Sequence, residues 1–437
     1  MREAAGVEAR RSARCVLMVC DFFYPQFGGI ETHILHLSQA LAKQGCRVCV
    51  LTHAYGDRKG VRYMEGDIKV FYAPRWCMPL SVAAPSIFLS QSLLRSIVVR
   101  EQVDVVHCHQ AFSVLALEAM LAAKPLGCRL VFTDHSLLGL ASPGGVLINK
   151  LMKLLLSDAD RIICVSHIAR ENTVLRACVP PDQVYAIPNA IDADHFPPRA
   201  PAALPAHVCA KHDGVDFVVG GDGPERPVLE DMVVSRGLEG RVRLLGSLEP
   251  GPEVGAVLRQ AHVFLTTSLT ESFCMAAVEA ACSGLLVVAT AVGGVPEVLP
   301  PTMMELAEPN PASVVAAVDR ALQRLHLTDP QAQHAQIRGM YNWRDVAERT
   351  EAVYEASETY AGEDSLAERQ RRYRRGGRLA GLLMCAMAAL MQVWLAALSW
   401  AMPAQDMEHW PRLAGAARAQ LACVSARRGS GKVLGDT

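Results

Sequence analysis

The sequence predicts an α/β protein: two doubly wound, Rossmann-like domains facing a cleft, followed by one C-terminal transmembrane helix. Three observations predict it. Short apolar, β-branched runs alternate with helix-like stretches, the pattern of a parallel sheet covered on both faces. The alternation breaks near Ile187-Pro188-Asn189 and then resumes, which divides it in two. Near the C-terminus, Leu379 to Met402 contains no charged residue.

Each element follows from its residues. Cys15–Cys20 reads as a buried strand. It is followed by Asp21 and is shorter than the apolar core of about 7–15 residues that a secretory signal needs. Ile30, Ile34, Leu37 and Leu41 fall on one face of a helix that Gly45 stops. Arg47–Thr52, Val103–Cys108, Arg129–Thr133 and Arg161–Val165 read as further strands. After the break, Phe217–Val219, Val242–Leu245, Val263–Thr266 and Leu285–Ala289 are strands, and Trp343 to Ser357 is a final helix. The expected domains are residues 13–186 and 187–360, both Rossmann-like, then the membrane helix at 379–402 and a short tail at 403–437. Ligands of such open sheets sit at the carboxyl ends of the strands.

The uncharged run is about 36 Å long as a helix, enough for a hydrocarbon core of about 30 Å. Arg369, Arg371, Arg372, Arg374, Arg375 and Arg378 precede it, while Asp406 and Glu408 follow it. The positive-inside rule places residues 1–378 in the cytosol and predicts a single crossing. With 20% charged residues and a net charge of −1, the chain has no general affinity for nucleic acid. Its 14 cysteines are scattered with no regular spacing, which fits a reduced compartment better than a disulfide framework.

The densest chemistry lies between Leu269 and Pro300. Glu271 and Glu279 are followed by a strand and by the turn Gly293-Gly294-Val295-Pro296-Glu297. Carboxylates suit sugar hydroxyls, and bare backbone N–H groups suit phosphate. Gly28-Gly29 opens the first helix in the same way, and Gly220-Gly221-Asp222-Gly223-Pro224 makes another strand–helix turn. His107 and His109 end a strand on one shared face, where an imidazole can bond a sugar hydroxyl or move a proton. Two histidines without a cysteine or carboxylate make no metal site, so neither metal nor other cofactor is expected. The triplets Asp158–Asp160 and Asp192–Asp194 read as turn and cap residues.

In order along the chain, Phe27 to Glu31 (F-G-G-I-E), Val105 to His109 (V-V-H-C-H), Ile187 to Asp192 (I-P-N-A-I-D), Gly220 to Pro224, the Glu271/Glu279 pair and Gly293 to Leu299 (G-G-V-P-E-V-L) resemble the retaining glycosyltransferases of the GT-B fold, family 4. Phe132 to Leu137, Ile162 to Ser166, Arg170 to Ala177 and Trp343 to Thr350 resemble the members that begin glycosylphosphatidylinositol-anchor synthesis. The resemblance spans about residues 13–402. It implies transfer of N-acetylglucosamine from UDP-N-acetylglucosamine to phosphatidylinositol, with retention, at the endoplasmic reticulum membrane and alongside other subunits of a complex. It also implies that Glu279 binds the donor ribose, that Glu271 lies near the donor sugar, and that Gly28, Gly29, Gly293 and Gly294 approach the diphosphate. By the same resemblance His109 contacts the donor sugar and helps position the acceptor.

The chain departs from the family in one place. Members open the second domain with a strand and a loop carrying an arginine and a lysine for the diphosphate. Here Phe196 runs through a Pro/Ala-rich stretch to Asp213 with neither. Arg199, Lys211 and Arg226 are nearby but stand off the motif. Two lost charge-assisted contacts cost on the order of 10²–10⁵ in rate. The departure therefore raises an alternative, a non-catalytic or truncated isoform that serves a complex without catalysing.

Overall fold

A computed structural model describes residues 14–26, 28–56, 58–74, 87–137, 143–199, 215–359 and 365–409. Phe27, most of the Pro/Ala-rich stretch (200–214) and all of the expected lumenal tail beyond residue 409 lie outside the described residues. Contacts divide the chain into two compact units. The first holds the residues up to Val165, Ala169–Ile187 and those from Arg344 onward; the second holds Ser166–Ile168 and Pro188–Trp343.

The first unit is built on strands β1 (Cys15–Val19), β2 (Arg47–His53), β3 (Gly60–Met64), β4 (Ile68–Ala73), β5 (Val105–His109), β6 (Arg129–Asp134), β7 (Arg161–Cys164) and β8 (Val184–Ala186). They form one sheet in the order β3-β4-β2-β1-β5-β6-β7-β8. All neighbours are parallel except the β3–β4 pair. β1 is central, pairs with both β2 and β5, and is buried at every residue. That double burial explains its unbroken apolar run. Helices α1 (Gly29–Lys43), α2 (Ile87–Glu101), α3 (Val114–Ala123), α4 (Pro143–Leu156) and α5 (His167–Ala177) alternate with these strands. Asp21 ties the exit of β1 to α3. Its carboxylate accepts from the Ser113 hydroxyl (3.0 Å) and from the N–H groups of Val114 (3.0 Å) and Leu115 (2.9 Å). An acid at a helix N-terminus satisfies otherwise orphaned donors.

The second unit contains β9 (Phe217–Gly220), β10 (Val242–Gly246), β11 (Val263–Thr266), β12 (Leu286–Thr290) and β13 (Met304–Ala307). Helices α6 (Arg226–Ser235), α7 (Pro252–Leu258), α8 (Met275–Cys282), α9 (Pro311–Arg324) and α10 (Pro330–Met340) accompany them. Among the described residues these strands form two sheets, β10-β9 and β11-β12-β13. The core of the larger sheet joins Leu286, Val288 and Ala307 to Ala317, Ala321 and Leu325 of the region of α9 and its C-terminal turn.

Helix α11 (Trp343–Glu358) was expected in the second domain, but from Arg344 onward it groups with the first unit. Tyr354 is fully buried there with its hydroxyl 2.7 Å from His107 Nδ1, and Arg14 pairs with Glu358 at 2.7 Å. Position in the chain favoured one neighbour, while the buried aromatic ring fixes the other.

The last two helices are α12 (Leu366–Arg374) and α13 (Arg378–Ala401). Arg369 is buried and holds Asp158 at 2.8 Å, which accounts structurally for the first D-x-D triplet. Asp160 is likewise spent on Lys124 and on the Leu130 N–H. Asp192 caps a short turn by accepting from Asp194 N–H. α13 is long and apolar enough to cross a membrane. One face, with Gly381, Met384, Cys385, Ala388, Met391, Leu395 and Leu398, is buried on the first unit. The opposite face exposes Leu379, Leu382, Leu383, Leu390, Val393 and Trp400.

Candidate functional site

The residues singled out from sequence fall into two groups, one in each unit. In the first unit, Gly28 is the N-cap of α1 in extended conformation. A Cβ at Gly28 would meet the Glu31 carboxylate, which leans back over the turn; at Gly29 it would meet nothing within 4 Å. The Gly29 N–H belongs to the first turn of α1, where backbone donors have no intrahelical acceptor and the helix dipole favours an anion.

His109 ends β5, fully buried. Its Nδ1 lies 3.2 Å from His135 Nε2 and its Nε2 lies 3.4 Å from Met18 Sδ. Burial, reinforced by His107, His135 and His33, holds its pKa well below the usual imidazole range, so it is neutral and able to donate or accept one proton. His107 differs from it. Both of its nitrogens are taken, by Tyr354 and by the Thr133 hydroxyl at 2.7 Å each, and burial lowers its pKa to about 3. It is a structural residue.

Two members of the histidine group were not singled out from sequence. His33 lies on α1 and His135 follows β6, and ligating nitrogens of His33, His109 and His135 lie within 4.8 Å of one another. Three imidazoles are the donor type of a zinc site. They are the described residues whose geometry is able to hold a metal ion. The usable signal in the sequence is that His33 falls one turn after Gly29, and His135 directly after a strand ending in Asp134.

In the second unit, Glu271 accepts from the Ser268 hydroxyl at 3.1 Å in the loop after β11. That loop enters α8 through Cys274, a non-glycine residue at φ +63°, a strained conformation for a side chain to occupy. Glu279 stands on α8, largely buried, and desolvation pushes its pKa up to about 7.

The glycine turn follows β12. Gly293 has φ +52°, a left-handed conformation that favours glycine. Gly294 is required for another reason: a Cβ there would collide with the Ser272 carbonyl oxygen and lie 2.7 Å from the Ser166 hydroxyl. Its N–H donates to the Glu271 carbonyl at 3.0 Å. The Gly294 N–H is therefore committed to the protein, and the turn bonds directly to the Glu271 loop. The turn is pinned further along. The Glu297 carboxylate accepts from the N–H groups of His167 (2.7 Å) and Ile168 (2.9 Å), and Tyr341 donates to the Val298 carbonyl at 2.6 Å.

Arg199 is not a phosphate ligand in this arrangement. It is buried and donates to the Gly284 carbonyl at 3.1 Å. Arg226 is held by Glu230 at 2.8 Å and Asp222 at 3.7 Å.

Comparison with known proteins agrees with this organisation. The model of Glycosyltransferase Family 4 matches residues 27–195, and that of Glycosyl transferases group 1 matches residues 201–324. A phosphatidylinositol N-acetylglucosaminyltransferase subunit of Arabidopsis thaliana is 43% identical over 91% of this chain and 94% of its own length. The phosphatidylinositol N-acetylglucosaminyltransferase gpi3 subunit of Schizosaccharomyces pombe is 40% identical over 90% of this chain and 91% of its own. Sucrose-phosphate synthase from Thermosynechococcus elongatus shares the fold at TM-score 0.59 and 20% identity, over 78% of this chain and 98% of that one. Anabaena HepE, solved in complex with UDP, does so at TM-score 0.60 and 16% identity, over 78% and 100%. The GT-B fold expected from the sequence is thus borne out. Its glycosyltransferase motifs, its paired α/β units and these relatives place the chain in the family of phosphatidylinositol N-acetylglucosaminyltransferase subunits that includes the gpi3 protein, to which it belongs.

Proposed function

We propose that this glycosyltransferase moves N-acetylglucosamine from UDP-N-acetylglucosamine to an inositol hydroxyl of phosphatidylinositol, with retention, the first step of glycosylphosphatidylinositol-anchor synthesis. The relatives' names supply the transferred sugar and the lipid acceptor. The observation that carries the reading within this chain is the loop of Glu271, hydrogen-bonded to the Gly293-Gly294 turn and leading into the helix of Glu279. In this reading the ionised Glu279 accepts from the donor ribose hydroxyls. Glu271 sits against the transferred sugar, with Ser268 orienting it. Gly293 offers its N–H to the diphosphate, while Gly294 positions the turn through Glu271. Gly28 and Gly29 offer the N-terminus of α1 to phosphate, and neutral His109 bonds the donor sugar and helps position the acceptor.

The expected domains, 13–186 and 187–360, are proposed as the acceptor and donor halves of the enzyme, with α11 returning to the first. Other subunits of a membrane complex are proposed partners. The test is an assay of membranes carrying the chain, supplied with phosphatidylinositol vesicles and several nucleotide sugars. N-acetylglucosaminyl-phosphatidylinositol should form from UDP-N-acetylglucosamine alone. Product from another nucleotide sugar, or a level no higher than that of a Glu271→Ala variant, defeats the reading.

We also propose that α13 anchors the enzyme in the endoplasmic reticulum membrane with its catalytic region in the cytosol. The arginine run before α13 supports a single crossing. A second course, along the membrane surface, is favoured by Arg95 of α2. It bonds Ser399 Oγ (3.2 Å) and the Met402 carbonyl (2.7 Å), holding the far end of α13 to the first unit. Cysteine labelling at Gln405 in sealed microsomes separates the two: a protected site means a crossing, an accessible one a surface course.

A further inference from the structure

The two units differ in one position. In the first, β1 sits between β2 and β5 and is buried at all five residues. In the second, among the described residues, β9 pairs only with β10 and β11 only with β12. The chain steps outward from β9 to β10, and outward again from β11 through β12 to β13. In a doubly wound sheet the inner strands of two such halves flank a central one. β9 and β11 are therefore inner edges without the strand that β1 provides in the first unit.

Backbone polarity agrees. Phe217 N–H donates to the Arg241 carbonyl at 2.8 Å, so the alternation of the strand turns the N–H groups of Val218 and Gly220 to the open side. The His262 carbonyl accepts from Leu286 N–H at 3.2 Å, which turns those of Val263 and Leu265 away from β12. Burial agrees as well. Parallel strands are normally covered on both faces, and β12 is buried throughout. β9 is exposed at every residue, and α6 buries none of its own. Phe217, Val218, Val219, Val228, Met232 and Val234 together leave an apolar surface larger than single stray residues.

The charge at this place has one sign. The loops at the carboxyl ends of β9, β10, β11 and β12 carry Asp222, Glu225, Glu249, Glu271 and Glu297. Among the described residues of those loops and the helix starts that follow them, the cation is Arg226, already held by Asp222 and Glu230.

We propose that the described strands of the second unit leave a parallel strand position open between β9 and β11, and that an extended segment of a partner polypeptide fills it, apolar on both faces and cationic just beyond its C-terminal end. Main-chain bonds to both edges supply affinity, as in other strand additions. The acidic rim selects the cation. The position concerns the folding of this unit and stands whatever acceptor the enzyme uses.

Amide hydrogen exchange on the full chain tests it. The probe is a synthetic peptide with a run of about five alternating Val, Ile and Thr residues followed by an arginine and a lysine. Exchange at Val218, Gly220, Val263 and Leu265 should slow by roughly tenfold or more on addition of the peptide. A peptide with proline at the centre of the run should protect none of them. One with glutamates replacing the cations should protect them less. Lack of protection, equal protection by the glutamate peptide, or edges already protected in the chain alone each overturns the proposal.

Discussion

At the scale of single residues, Glu279 is the most informative. Burial raises its pKa to about 7, so the carboxylate proposed to bind ribose hydroxyls is only partly present near neutral pH. The sign is definite. The folded state keeps the Glu279 proton to higher pH than the unfolded chain does. Stability from this group is thus full below the unfolded value near 4.5 and declines as pH rises through about 7. Donor affinity runs the other way and rises over the same window. Glu279→Gln should therefore raise the melting temperature at pH 8, leave it nearly unchanged at pH 4, and weaken UDP binding by about 10-fold or more at pH 8, a charged hydrogen bond being worth about 1.5–3 kcal/mol. Calorimetry at the two pH values, with and without UDP, reads both effects. The glycines separate in a similar way. Gly294→Ala should destabilise the second unit by about 1–3 kcal/mol through its clash with Ser272. Gly29→Ala meets open space, so it should fold normally and change ligand affinity alone, as thermal melts and UDP titration would show.

At the scale of elements, two packing faces carry predictions. Tyr354→Phe leaves His107 Nδ1 without its partner in a buried site and should cost about 1–3 kcal/mol in urea unfolding, because α11 is fixed there to β5. On α13, lysines at Leu390 and Val393 lie on the exposed face and should move the chain from the membrane to the soluble fraction without unfolding it. Glutamate at Ala388, on the buried face, should unfold the helix packing instead. Much of this architecture was legible in the chain. Buried parallel strands such as β1, β5 and β12 announce themselves as unbroken apolar runs. β3 did not, because Gly60, Val61 and Arg62 are exposed on an edge and carry no core pattern. The short β8 and β13 lack the length for one. Glu271, Glu279 and the glycine turn were visible because they are close in sequence. His33 and His135 were not, because they become one cluster with His109 only when α1 and the ends of β5 and β6 are brought together by the sheet.

At the scale of the whole molecule, the first unit is completed by segments distant in sequence, α11 to α13, while the second shows two inner sheet edges among its described residues. The departure read between Phe196 and Asp213 thus has a structural counterpart: β9 and α6 exposed to solvent beside a carboxylate-rich rim. The chain is nonetheless expected to work as a transferase in its membrane setting, where its partners are present. The most direct measurement is to express it in cells that lack their own version of this glycosyltransferase and to incubate their microsomes with radiolabelled UDP-N-acetylglucosamine. Labelled N-acetylglucosaminyl-phosphatidylinositol should appear, and should be lost in the Glu271→Ala variant. Microsomes in which the chain is present but yields no more of that lipid than the variant would contradict the assignment.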